Sequence, residues 1–281
     1  MKKSVLCLAI MFLMIIPIKA KAKEIVNQNG IVMSEETYNN LRKIFSEARV
    51  AVMDTEEFNN IINMNIDYEK VQKSIKYYKT YYDHLQRKYV NEEVLQEEYN
   101  RASTRGTSVY ETTYKKLEST FVQMGTSINF LSVNLRWKIM PTVRSFDVIG
   151  TRFVHQYLIG GTQLAYQIYR KVGNSNYETI SYSFNGSNMK TQNNGIAYSM
   201  NLVNDAVNHL ECDLNINLSI DYFPTHVWTS YQHAISNVTL AQSQNYDFGD
   251  GLGSVFLFKN NIDQYYDGMG GLHQYQSSSS V

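Results

Sequence analysis

The stretch that most constrains the fold lies at residues 210–222. Leu210, Cys212, Leu214, Ile216, Leu218, Ile220 and Tyr222 alternate without a break with Glu211, Asp213, Asn215, Asn217, Ser219 and Asp221. A helix would scatter these apolar side chains around its circumference, whereas a strand sends successive side chains to opposite faces. The pattern predicts one long strand with one buried face and one polar, solvated face. Register also decides Cys212. It points into the core with its leucine neighbours, as a small inert hydrophobe rather than a nucleophile.

The same period recurs. Leu131, Val133, Leu135 and Trp137 alternate with Ser132, Asn134, Arg136 and Lys138, and Ile196, Tyr198, Met200 and Leu202 share a face. Further strands are predicted near 110–121, 146–154, 163–171, 177–184, 226–233, 238–247 and 254–259. Turn signals separate many of them: Gly160-Gly161, Gly173-Asn174, Asn185-Gly186 and Asn193-Asn194-Gly195. Strands with one apolar face each need a second layer to cover them. The expected class is mainly β: an antiparallel β-sandwich, jelly-roll-like, over 107–276. A single closed barrel is the alternative. Arg105-Gly106-Thr107 marks the hinge into this region. Pro141 and Pro224 each fall beside a strand end, where a missing N–H does least harm.

A small helical or mixed module is expected before the sandwich. MSEETYNNL at 33–41 is echoed by MDTEEFNNI at 53–61, and more loosely by LQEEYNRA at 95–102. Ser34 and Asp54 suit N-caps, the following acids suit the positive end of a helix dipole, and Glu57 has capping-box spacing. Met33 with Tyr38, and Met53 with Phe58, stand at staple positions. Region 23–65 therefore reads as two short capped helices, about 34–46 and 55–63, joined by an apolar connector, Val50, Ala51 and Val52. A calcium loop would need alternating oxygen ligands and a turn glycine, which neither copy has. Two copies also fall short of a solenoid.

Region 66–106 is a hairpin or a helical connector. Val71, Ile75, Tyr78, Tyr82, Leu85 and Tyr89 follow a heptad spacing, but the stretch is rich in Tyr. A hairpin of 71–82 with 87–93, turning at Asp83-His84-Leu85-Gln86, is favoured over a short tyrosine-filled seam. Gln96 to Tyr99 then resembles the other two helix starts.

The ends carry targeting information. Lys2 and Lys3 precede a 14-residue apolar run at 5–18, and Ala20-Lys21-Ala22 offers small residues for cleavage. Residues 1–22 read as a secretory signal peptide, removed after Ala22. The run is short for a membrane span, which takes about 20 apolar residues. Residues 277–281 read as a flexible tail, without a wall-sorting signal or membrane tail. Removal of the leader takes four lysines and no acid, leaving 22 basic against 26 acidic residues and a net charge of −4. That balance, without a concentrated basic face, argues against a nucleic-acid partner. Cys212 would then stand alone, without an internal disulfide. Secretion without disulfides, in a chain rich in Asn, Lys, Tyr and Ile, suggests a Gram-positive-type bacterium with an AT-rich genome.

No motif assigns chemistry. The histidines at 84, 155, 209, 226, 233 and 273 form neither H-E-x-x-H nor H-x-H, and His226 and His233 fall on opposite sides of a regular strand. Asp247-Phe248-Gly249-Asp250-Gly251 offers some calcium ligands but reads better as a tight turn. There is no G-x-S-x-G elbow. Gly268-Met269-Gly270-Gly271 lacks the Lys-Ser/Thr of a phosphate loop. Asp147, Glu178, Glu211, Asp213 and Asp221 lie on predicted strands, and no spacing lifts a pair of them above a solvated face. Trp228, Tyr231, Tyr246, Tyr265 and Tyr266 could present rings to sugars, although packing is the commoner use of strand aromatics. No catalytic, cofactor-binding or metal residue is assigned, and no cofactor is expected. The function expected is that of a secreted non-catalytic binding or structural protein, meeting a glycan, a cell-wall component or another protein. The alternatives are an extracellular hydrolase with acids from separate strands, and a pore-forming or membrane-inserting β protein.

Overall fold

The computed structural model describes residues 23–102, 112–125, 127–192, 194–221, 225–249, 254–268 and 272–276. The expected leader, the hinge at 105–107, Tyr222, Pro224, Asp250, Gly251 and the tail lie outside the described residues.

The chain opens with a short ribbon, β1 (Glu24–Val26) and β2 (Val32–Ser34), followed by helices α1 (Glu35–Ile44), α2 (Glu47–Val52) and α3 (Thr55–Ile62). Ser34 and Asp54 act as caps: their side-chain oxygens accept from Thr37 N at 3.0 Å and Glu57 N at 2.9 Å. Two expectations are corrected here. Val50, Ala51 and Val52 are not a connector but the end of a third helix, α2. Its cap is Ser46, which accepts from Arg49 N at 3.0 Å. Glu57 does not complete a capping box, because its carboxylate turns inward to the Arg49 guanidinium.

Strands β3 (Gln72–Asp83) and β4 (Lys88–Val94) form the hairpin preferred from the sequence. Asp83 fixes its turn by accepting from Leu85 N at 2.8 Å and Gln86 N at 3.0 Å. A short helix, α4 (Gln96–Arg101), follows with Leu95 at its N-cap and no side-chain cap. Then come β5 (Thr113–Met124), β6 (Ile128–Trp137), β7 (Phe146–Val154), β8 (Gln156–Leu158), β9 (Leu164–Lys171), β10 (Glu178–Tyr182), β11 (Met189–Gln192), β12 (Gly195–Asn201), β13 (Val207–Ile220) and β14 (Thr225–Gln232). Helix α5 (Leu240–Ser243), β15 (Tyr246–Phe248), β16 (Phe256–Phe258), a 3-10 turn (Ile262–Tyr265) and β17 (Leu272–Gln276) complete the described chain. The strand expected at 238–247 is therefore replaced in its first half by α5. Thr239 and Gln242 exchange side-chain-to-backbone bonds there, a capping box that turns the backbone before β15. The short strands β8, β11 and β17 carry too little alternation to have been predicted.

The strands build two antiparallel sheets packed face to face, a β-sandwich. The large sheet has eight strands in the order β10-β9-β13-β6-β5-β3-β4, with β8 also on β13; the small one runs β11-β12-β7-β14-β17. The hairpin belongs to the large sheet, since β3 pairs with β5. The core between the sheets takes Leu117, Phe121, Leu131, Val133, Leu135 and Trp137 from one side. Ile149, Phe153, Ile196, Tyr198, Val227 and Tyr231 come from the other. The apolar face of β13 lies here, with Leu210, Cys212, Leu214, Ile216 and Leu218 fully buried. A barrel wall would need that face turned to lipid. No helix among the described residues is long and apolar enough to cross a membrane.

Both outer faces are covered as well. The helical module packs on Val122 and Phe130 of the large sheet through Leu41, Ile44, Phe45, Val50, Met53 and Ile61. The segment from Ala234 to Tyr266 covers Val148, Ala197 and Trp228 of the small sheet. At Gly195 this cover sits so close that a Cβ would stand 2.3 Å from the Phe248 ring. The polar face of β13, expected in solvent, is consequently interior: Glu211 is 0%, Asp213 2% and Asn215 2% exposed.

Candidate functional site

Two buried polar clusters follow from this layering. The first lies where the helical module sits on the outer face of the large sheet. Antiparallel pairing places Asp213 of β13 opposite Asn134 of β6. The Asn134 amide donates to both acids, 3.0 Å to Glu211 Oε2 and 2.5 Å to Asp213 Oδ1. Burial alone would push Glu211 up, but the His209 ring 3.0 Å away, the Ser46 hydroxyl and the Arg136 charge outweigh it and hold the carboxyl below its ordinary range. Asp213 goes the other way. Burial and the Glu211 charge push it up to about 7, against weaker help from Arg49 and Asn134. Arg49 ties the helices to this face. It pairs with Glu57 and lies over the Tyr166 ring of β9, 3.7 Å from its centroid. Burial nonetheless raises Glu57 despite the Arg49 charge.

Beside this cluster opens a cleft of about 400 Å³ between α3 and the sheet. Phe45, Ile61, Phe130 and Leu164 form apolar walls; Glu56, Asn60, Thr162, Asn215 and Asn217 supply polar groups. The volume falls in the range of small-ligand sites, which pair apolar walls with a few placed polar atoms. Thr162 is braced: its hydroxyl donates to Ile159 O at 2.7 Å and accepts from Asn217 N at 3.1 Å. Asn215 is not. Its amide nitrogen and oxygen are both buried without a protein partner, as is Asn217 Oδ1. A buried amide left unpaired costs about 1–3 kcal/mol, so such groups are usually paired.

The second cluster lies between the sheets. Lys115 of β5 and Asp267, which follows the 3-10 turn, form an ion pair with both side chains fully buried. The other oxygen of Asp267 accepts from His233 N at 3.1 Å. Asp147 of β7 stands next in line. It accepts from Tyr231 Oη at 2.5 Å and Ala234 N at 2.9 Å, and His233 Nδ1 lies 2.9 Å from it. Burial, with the Asp147 charge, pushes the Tyr231 hydroxyl far up, and burial likewise raises the Cys212 thiol 3.6 Å away. The cysteine thus lies in the core as a thiol, on the side its register implies.

The residues singled out from the sequence fall elsewhere or in other roles. Asp247 pairs with Lys259 at 2.6 Å and accepts from Gln192 at 3.2 Å, so a cation already meets its carboxylate. Among the described residues no three His, Cys, Asp or Glu are grouped to hold a metal ion. The aromatics read as recognition candidates are packing residues: Tyr231, Tyr246, Tyr266 and Trp228 are buried, and Tyr265 half-buried. His226 stacks on Trp228, while His233 serves Asp147. Of the five strand acids, Glu211 and Asp213 converge and Asp147 joins the second cluster. Glu178 accepts from Tyr169 and pairs with Lys171, and Asp221 accepts from Tyr157. Arg49, Asn134, Asn215, Lys115 and Asp267 carry no sequence signal of their own; each gains its role from what covers it.

No family model matches the chain, and no curated protein matches it. Among solved structures, the KRT10-binding region domain of the pneumococcal serine rich repeat protein PsrP aligns at 12% identity with a TM-score of 0.29. That alignment covers 73% of this chain and 99% of that one. IDO from Bacillus thuringiensis aligns at 12% identity and a TM-score of 0.17, over 72% of this chain and 97% of that one.

Proposed function

We propose that this chain is a secreted, non-catalytic binding protein of the cell exterior, and that its ligand, a stretch of glycan, enters the cleft between α3 and β13. The observation that carries the reading is Asn215. Its amide is 2% exposed, has no protein partner and lines the cleft. A sugar presents hydroxyls that both donate and accept, together with apolar ring faces, and these match the amides and the Phe45, Ile61 and Phe130 walls. Binding fits better than turnover. Glu56 and Glu57 share the cleft wall but are neighbours on one helix, and Glu57 is engaged by Arg49. Glu211 and Asp213 are enclosed beneath the helices.

The test compares the wild-type chain with Asn215→Val on a glycan array and on insoluble cell-wall preparations. Retention of the wild type, weakened about tenfold or more in the variant, is expected. The variant should also melt at higher temperature, because an unpaired buried amide has been replaced by a residue suited to a buried strand. Absence of wild-type retention on every glycan and wall fraction overturns the reading.

A further inference from the structure

The ion pair between the sheets has an unusual setting. Lys115 and Asp267 are separated by 152 residues in sequence, and each side chain is fully enclosed. The Trp137 ring lies 5.2 Å from the ammonium, and its edge packs on His233. Two charges held away from water carry a large desolvation cost, which pairing repays only in part. Such a pair has a route to neutrality that a solvated pair lacks.

We propose that Lys115 and Asp267 condense into an intramolecular amide, a covalent cross-link between the large sheet and the segment covering the small one. The Lys115 Nζ gives up a proton, and its lone pair forms a bond to Asp267 Cγ. Charge gathers on Oδ1, where the His233 N–H already points at 3.1 Å. The nitrogen then loses a second proton, the bond from Cγ to Oδ2 breaks, and Oδ2 leaves with both protons as water. An ammonium and a carboxylate thus become one neutral amide and one water, with no oxidant, reductant or other reactant.

Three features favour this course. Contact within a rigid core supplies orientation, and well-placed intramolecular groups reach effective molarities of about 10⁵ M or more. The His233 N–H is fixed to receive developing negative charge, as oxyanion donors do. Burial also pulls Lys115 down to about 7 although the Asp147 charge opposes it, so the nucleophilic free amine is populated near neutrality. Asp147 is a positioning residue: it grips His233 Nδ1 and Ala234 N, and so aims the His233 N–H.

Peptide mass spectrometry of the full folded chain decides the matter. After denaturation and tryptic digestion, a branched peptide joining Lys115 to Asp267 is expected, lighter by one water than its two arms, with no cleavage after Lys115. Asp267→Asn should give the same branched product by releasing ammonia instead of water. Lys115→Met and Asp267→Ala should yield linear peptides only, and the wild-type result stands even if these variants do not fold. Linear Lys115 and Asp267 peptides from folded, incubated wild type overturn the proposal, including when water has been lost at some other residue. The readout is independent of the glycan cleft and of its test.

Discussion

Asp213 is a carboxyl group whose neighbours favour its protonated form. Its ordinary value is 3.8, and burial together with the Glu211 charge lifts it to about 7. Between those values the folded chain holds a proton that the unfolded chain has released. Folding is therefore helped on the acid side and weakened as pH rises through the window. A melting series across it should show a fall of about 2–4 °C or more towards its upper end, equivalent to a loss of at least 1 kcal/mol. Asp213→Asn should flatten that slope; an unchanged slope in the variant would place the titration elsewhere. Period-two alternation correctly placed Cys212 in the core and Asp213 on the opposite face. The solvent expected over that opposite face is replaced by protein. Alternation distinguishes two faces of a strand, while solvent or protein over the second face depends on segments far away in sequence.

At the level of elements, the helical module is attached by apolar contacts and by the Arg49 guanidinium over the Tyr166 ring, while one enclosed ion pair, Arg49 with Glu57, braces it from within. Arg49→Met or Glu57→Leu alone leaves a buried charge without its partner and should cost about 3–5 kcal/mol in denaturant unfolding. The double change Arg49→Met with Glu57→Leu should cost much less than the two single losses added, a coupling that a double-mutant cycle reads directly. Additive losses would mean that the pair does not act as a unit. The starts of α1 and α3 were legible because capping chemistry is local: Ser34 and Asp54 bond within their own first turns. Helix α2 is hidden in the sequence because Ser46, its cap, falls at the end of the span 34–46 that reads as the first helix. Glu57 was misassigned because the spacing of a capping box says nothing of a guanidinium eight residues away.

Across the whole molecule, a sandwich of antiparallel sheets could be inferred from sequence, since the long strands announce their own apolar faces. The covers could not, because the helical module and the 234–266 segment bury polar as well as apolar surface. They turn a two-layer sandwich into four layers, with β13 enclosed on both sides. Its amides should therefore be the slowest to exchange with deuterated water, while the half-exposed β4 at the sheet edge should exchange early. Fast exchange in β13 would contradict this layering. The same arrangement sets an order of events for a chain that emerges from its N-terminus. Strand β13 bridges β6 and β9, so the large sheet stays in two pieces until Val207–Ile220 has been delivered. Lys115 meets Asp267 later still, and β17 closes onto β14 last among the described strands. Its final shape is out of reach while most of its length is already out, which keeps the chain threadable through a narrow conduit until its far end arrives.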